Sequence, residues 1–239
     1  MRRREQLGGA MNYQQSLWDG KRQTTADEVF HKLQSDITSL RLTPGSKLSE
    51  VEVAKLYDVS RQPVREAFVR LGDLNLLHIR PQKATLVKKI SVSELQNSRF
   101  IRAAVEVEVV RKACQLATQE SFDLIDHNLS QQAKAVETED AKLLHNLDYE
   151  FHRLICAAAD CLPAFRTIEE NRRHTDRVCT LELANVSGMA EVIEGHQNII
   201  DAIKQKNEEV AVAMTRIHLA HLDDTLADAY EHYPDYFED

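Results

Sequence analysis

The 239-residue chain is poor in the residues that break or staple a fold: it holds 7 glycines, 5 prolines and 4 cysteines. With 43% hydrophobic and 28% charged residues, that shortage reads as a globular, helix-rich protein. The cysteines, Cys114, Cys156, Cys161 and Cys179, fall in apparent helices with no CxxC pair. They read as reduced apolar fillers in a cytoplasmic protein, which excludes a disulfide frame and a cysteine zinc site. No apolar run approaches the roughly 18–20 residues that span a bilayer, so no membrane partner is expected. The start, "MRRREQLGGAMNYQQ", is basic but lacks an apolar segment, so it is not a secretory signal, and residues 1–23 are expected to form a flexible tail. Internal repeats and low-complexity blocks are absent.

The length suffices for two modest domains, and the charge is split between two regions. Residues 1–90 carry 16 Lys and Arg against 10 Asp and Glu, whereas the rest carries 14 against 28. A basic third joined to an acidic remainder suggests a polyanion-binding module attached to one that does not bind polyanions.

The pattern along the basic third is specific. Val29, Phe30, Leu33, Ile37 and Leu40 recur at helical spacing after candidate caps Thr24 and Thr25. Pro44-Gly45 breaks that helix. A second helix is predicted at 49–57, with Ser49 and Glu52 as a capping box. After a short "DVS" turn comes a third, capped by Ser60. Pro63 falls in its first turn, where backbone N–H groups lack intrahelical partners. Its buried stripe is Val64, Ala67, Phe68 and Leu71, whose mean direction lies roughly 130° from that of Arg61, Gln62 and Arg65. "LLHIR" and "TLVKK" then read as two short strands around a turn at Pro81–Ala84. Helix, helix, turn, helix and hairpin make a winged helix-turn-helix over 24–89. Beyond it the pattern is helical, with helices predicted near 93–117, 120–137, 139–159, 163–184, 189–206 and 208–231. The fold class is therefore mainly α, an N-terminal winged helix-turn-helix followed by an all-α helical-bundle effector domain over 90–239.

"GSKLSEVEVAKLYDVSRQPVREAFVRLGDLNLLHIRPQKATLV", residues 45–87, resembles the DNA-binding domain of the GntR family of bacterial transcription regulators, most specifically in "VSRQPVREA". Residues 91–232 resemble the helical FCD effector domain of its FadR subfamily. The resemblance implies a recognition helix in the major groove and a wing against the minor groove of operator DNA. Ser60, Arg61, Gln62 and Arg65 fall on the recognition helix, and Arg80, Gln82, Lys83 and Thr85 on the wing. Ala84 and Asn75 stand where that family often has glycine. Arginine suits the task, because its paired donors match guanine O6 and N7, while other basic side chains bind phosphates.

In "HNLDYEFHRLICAAAD", residues 145–160, Asp148 and His152 lie four apart and share a helix face. His196 sits on an apolar stripe of a later helix, and the last helix offers His218 and His221. One aspartate and three histidines from separate helices can hold a divalent metal: zinc first, with nickel or manganese as alternatives. The FadR-type pattern points to Asp148, His152, His196 and His218. The helical wheel favours His221 as the fourth ligand, whereas the subfamily's spacing favours His218. Two open positions on an octahedral ion would take a small carboxylate. The resemblance implies that Arg102 holds a second anionic group of this effector; the alternative for Arg102 is a surface ion pair with Glu106.

These readings converge on a homodimeric regulator of operator DNA, controlled by an organic or sugar acid bound at a metal site. The alternatives are a regulator for which the metal itself is the signal, and a metal-dependent hydrolytic enzyme. Against the last, the sequence offers no general base beside the ligands, since Glu150 should point about 160° from the stripe.

Overall fold

A computed structural model describes residues 24–80, 84–183 and 186–238, apart from the side chain of Glu182. The expected tail at 1–23 and the wing residues Gln82 and Lys83 lie outside the described residues.

The N-terminal unit is built on α1 (Thr25–Thr38), α2 (Glu50–Leu56) and α3 (Arg61–Asp73). Thr24 starts α1 with a reciprocal box: its hydroxyl accepts from the Asp27 N–H at 3.2 Å and the Asp27 carboxylate accepts from the Thr24 N–H at 3.0 Å. Arg70 of α3 donates to the same carboxylate at 2.8 Å and lies over the Phe30 ring, tying α3 to α1. These bonds hold the Asp27 carboxyl at about 2. Ser49 caps α2 through the Val51 N–H, one residue short of the Glu52 box the sequence suggested. Asp58, at φ +52°, reverses the chain between α2 and α3; short polar side chains tolerate that conformation better than most. The stripe Val64, Ala67, Phe68 and Leu71 packs against Val29, Leu33 and Ile37, all but fully buried.

Strands β2 (Leu77–His78) and β3 (Thr85–Val87) form the expected hairpin. A further strand, β1 (Lys47–Leu48), pairs antiparallel with β3, giving a three-stranded sheet of order β1-β3-β2. Two residues are too few to show strand alternation, so the sequence could not announce β1.

β4 (Ile90–Ser91) leads directly into α4 (Val92–Leu116), capped by the Ser91 hydroxyl on the Glu94 N–H. There follow α5 (Gln119–Glu137), α6 (Ala141–Ala158), α7 (Ala164–Glu182), α8 (Val186–Lys204) and α9 (Glu208–His232). A short 3-10 turn over Pro234–Tyr236 precedes β5 (Phe237–Glu238), which pairs parallel with β4. The main bundle core joins α4, α5, α6 and α8 through residues such as Val110, Ile125, Phe151, Ile155 and Ile200. A second cluster, Ile90, Leu95, Val178, Leu222 and Phe237, lies under the chain segment between the two units. No disulfide joins the four cysteines among the described residues, and Cys114 and Cys156 are buried. Among the described residues no helix is long and apolar enough to cross a membrane.

Leu71 is completely buried at the centre of the N-terminal unit. Leu71→Ala is expected to destabilise the protein by about 2–5 kcal/mol, read from urea unfolding followed by circular dichroism.

Candidate functional site

Asp148, His152, His196 and His218 converge inside the bundle, each offering one ligand atom within 4.8 Å of the others. Asp148 and His152 come from successive turns of α6, whose apolar neighbours Leu144, Phe151 and Ile155 turn that face inward. His196 of α8 is wholly buried, and its ring stacks on Phe151 with centroids 3.9 Å apart. His218 of α9 approaches through Gly195: a Cβ on that glycine would stand 2.8 Å from His218 Nδ1. Only glycine allows α8 and α9 to meet so closely at this point.

A second ring of side chains sets the orientation of the imidazoles. His152 Nδ1 lies 2.7 Å from Glu106 Oε2, and a carboxylate can only accept there. The proton therefore sits on Nδ1, and Nε2 turns toward Asp148 Oδ1, 3.5 Å away. His196 Nδ1 lies 2.8 Å from Gln132 Oε1, while Gln132 Nε2 donates to Asn128 Oδ1 at 2.7 Å. That chain fixes the Gln132 carbonyl as acceptor, so His196 also directs Nε2 at Asp148 Oδ1, 3.1 Å away. Both Nε2 atoms are buried and lack a hydrogen-bond partner among the described residues. Lone pairs facing a carboxylate oxygen are costly to bury unless a proton or a cation lies between them. Nitrogen and oxygen donors so arranged fit a divalent metal.

The remaining oxygen of Asp148 is bound by Arg172 of α7, whose guanidinium is buried and lies over the Tyr149 ring. Burial alone would raise the Asp148 pKa, but Arg172, His152 and His196 outweigh it and hold the carboxyl well below its usual range. Burial pushes His196 down, and burial with the neighbouring imidazoles pushes His218 down further, so both favour the neutral form that binds metals. His152 goes the other way: burial opposes its charge, but Glu106 and Asp148 raise it.

At the other end of the molecule, α3 presents Arg61 and Arg65 side by side, with side chains 60% and 56% exposed. Glu50 at the start of α2 holds both: Arg61 Nη2 donates at 3.0 Å, and Arg65 donates from Nε at 3.2 Å and Nη2 at 3.1 Å. Gln62 donates to Glu66 at 3.0 Å. Ser60 occupies the N-cap position with extended backbone, yet its hydroxyl makes no cap bond and is exposed.

Residues 25–87 match the gntR family of bacterial regulatory proteins, and residues 99–221 match the FCD domain. The chain belongs to the GntR family. It is 34% identical over 218 residues to the HTH-type transcriptional repressor RspR of Escherichia coli K12, covering 91% of this chain and 95% of that protein. The solved structure of E. coli McbR/YncC aligns with a TM-score of 0.70 at 22% identity, covering 89% of this chain and 100% of that one. A GntR regulator from Rhodococcus sp. RHA1 aligns equally well, with a TM-score of 0.70 at 19% identity over 84% of this chain and 97% of that one. At such identities the two structures speak for the fold alone. Family and relatives make this protein a GntR transcription regulator with an FCD domain, not an enzyme. Glu150 pairs with Arg153.

In this GntR chain three of the side chains singled out in the sequence are buried or have partners within the chain. Arg102 is 6% exposed and donates to Glu106 at 2.8 Å, the ion pair weighed as its alternative, buried and not at the surface. Thr85 is 8% exposed within β3, opposite Leu48, so the sheet interior claims the side chain expected on the wing. Arg80 turns back and binds the Ala84 carbonyl at 3.2–3.3 Å, bracing its own turn. His221 lies apart from the cluster, 3.8 Å from Glu191, which favours His218. Sequence reading missed Glu106, Gln132, Arg172 and Gly195. Only Glu106 left a signal, as the ion-pair alternative weighed for Arg102.

Removing Arg172 leaves the buried Asp148 carboxylate without its cation. In chelator-treated protein, Arg172→Leu is expected to cost about 3–5 kcal/mol of stability, measured by urea denaturation.

Proposed function

We propose that this GntR regulator binds operator DNA as a homodimer, as a repressor in the cytoplasm, and is controlled by a small organic or sugar acid bound at a metal held by Asp148, His152, His196 and His218. The observation that carries the sensing half is the pair of buried, unpartnered Nε2 atoms of His152 and His196 aimed at Asp148 Oδ1. Zinc suits three imidazoles and one carboxylate best; nickel or manganese would also accept this set. When bound, the cation supplies open coordination positions for an anionic ligand. Glu106 and Gln132 keep the two Nδ1 protons, so that His152 and His196 present lone pairs inward. Arg172 balances the charge of Asp148 from the opposite side.

Reading is assigned to α3. Arg61 and Arg65 are exposed and already ordered by Glu50, so less side-chain freedom is lost when they meet base edges. The unspent Ser60 hydroxyl suits a phosphate contact. A palindrome needs two such heads. The surface suited to joining two copies is the groove between α4 and α9, where Phe100 is 76% exposed beside Ala103, Ala104 and Ala220. Glu108 and Arg216 line the same groove, so two copies related by a dyad can set unlike charges against each other.

The direct test is a thermal-shift screen of zinc-loaded protein against small carboxylates. A concentration-dependent rise in Tm with an organic or sugar acid, lost in His196→Ala, supports the reading; no response to any acid, or an equal response in the variant, overturns the sensing half. For the reading half, Arg65→Ala is expected to weaken binding to a duplex selected by the wild-type protein by at least ~1 kcal/mol. An unchanged affinity in an anisotropy titration rejects that role. Phe100→Glu should convert a dimer into a monomer in light scattering; an unaltered mass places the interface elsewhere.

A further inference from the structure

Helix α7 touches both the histidine cluster and the DNA-reading unit. On one side Arg172 binds Asp148, and one turn later Asp176 accepts from the Tyr149 hydroxyl at 3.0 and 3.2 Å. On the other side Arg177 donates to the main-chain carbonyls of Lys88 at 2.5 Å and Lys89 at 3.4 Å. Thr180 donates to the carbonyl of Thr38, at the end of α1, at 2.8 Å. Residues 172 and 180 are separated by about 12 Å of helix.

Arg177 is the unusual member of this row. It is 4% exposed, yet among the described residues its hydrogen bonds go to two neutral backbone carbonyls of the segment between the two units, and not to a carboxylate. Burial lowers its pKa to about 10, so the placement is costly. The same segment is gripped from other directions. β5 pairs with Ile90 and Ser91, and Phe237 and Ile90 share a core with Val178 of α7. Asn75, at φ +59°, accepts from Lys88 Nζ at 2.6 Å and donates to both Glu94 oxygens at 2.7 Å, with His174 of α7 3.6 Å from Glu94.

We infer that α7 is the element that carries the state of the metal and effector site to the DNA-reading unit, and that Arg177 is the positioning residue that attaches it to the connecting segment. The inference rests on the function proposed above and concerns how that site exerts control. Asp148 is shared: Oδ1 faces the imidazoles and Oδ2 belongs to Arg172. A cation that draws Asp148 inward alters its pairing with Arg172, and a helix moves as a stiff body, so Arg177 and Thr180 move with Arg172. The carbonyls of Lys88, Lys89 and Thr38 then receive the displacement.

The test is hydrogen–deuterium exchange of the full-length protein with and without zinc, beside calorimetric zinc titration. In the wild type zinc should slow exchange in α6 and α8 and also alter it at residues 38–42 and 88–91. Arg177→Met keeps an apolar stem and removes the donors. This variant should still bind zinc, yet lose the zinc-dependent change at 88–91. Thr180→Val, a milder change, should keep the effect at 88–91 and lose it at residues 38–42. A full zinc effect at 88–91 in Arg177→Met, or a wild-type effect confined to α6 and α8, overturns the inference. Absence of any zinc binding by the wild type overturns the metal reading itself, and the inference with it.

Discussion

A single buried carboxylate organises the C-terminal unit. Asp148 is withdrawn from water between three imidazoles and a guanidinium, and a charge so placed survives only with opposite charge around it. Arg172 meets one oxygen; the other faces nitrogen lone pairs whose protons have been drawn outward by Glu106 and Gln132. Both residues are buried, and they decide which atom each histidine turns inward. The tight approach of α9 at Gly195 and the stacking of His196 on Phe151 serve the same centre.

The reading unit follows a parallel logic with the signs reversed. Two exposed arginines repel each other, and Glu50 offsets that repulsion by holding both guanidiniums from a neighbouring helix. Hydrogen bonds from Arg65, then Arg61, keep the Glu50 carboxyl below its ordinary range, so the clasp stays ionised at neutral pH. Between the two units the chain is held by side chains from several elements, not left as a free tether. Asn75 shows how this was achieved: a residue that tolerates positive φ also brings an amide that bridges Lys88 and Glu94.

Much of this was legible in the sequence because it depends on period and punctuation. The helical stripes placed α1 to α9 within a few residues, and the turn, the cap position and Pro63 marked the start of α3. Asp148 and His152 stood out by their four-residue spacing on one helix face, whereas the helical wheel pointed to His221 and the resemblance to His218, and it is His218 that the crossing of α9 over α8 brings to the cluster. Two-residue strands such as β1 and β5 carry no period and stayed hidden. So did Gln132 and Arg172, because a polar side chain on a helix looks solvated until the partner element is known. For Thr85 and Arg102 the motif gave the positions, while burial and local pairing decide what the side chains touch.

The most direct measurement is calorimetric titration of zinc into chelator-treated protein, compared with Asp148→Asn, which keeps the shape of the site and removes its charge. One cation per chain in the wild type, with binding abolished or greatly weakened in the variant, is the expected result. Equal binding by the two proteins, or no binding by either, would contradict the claim that this carboxylate and its three histidines form a cation site.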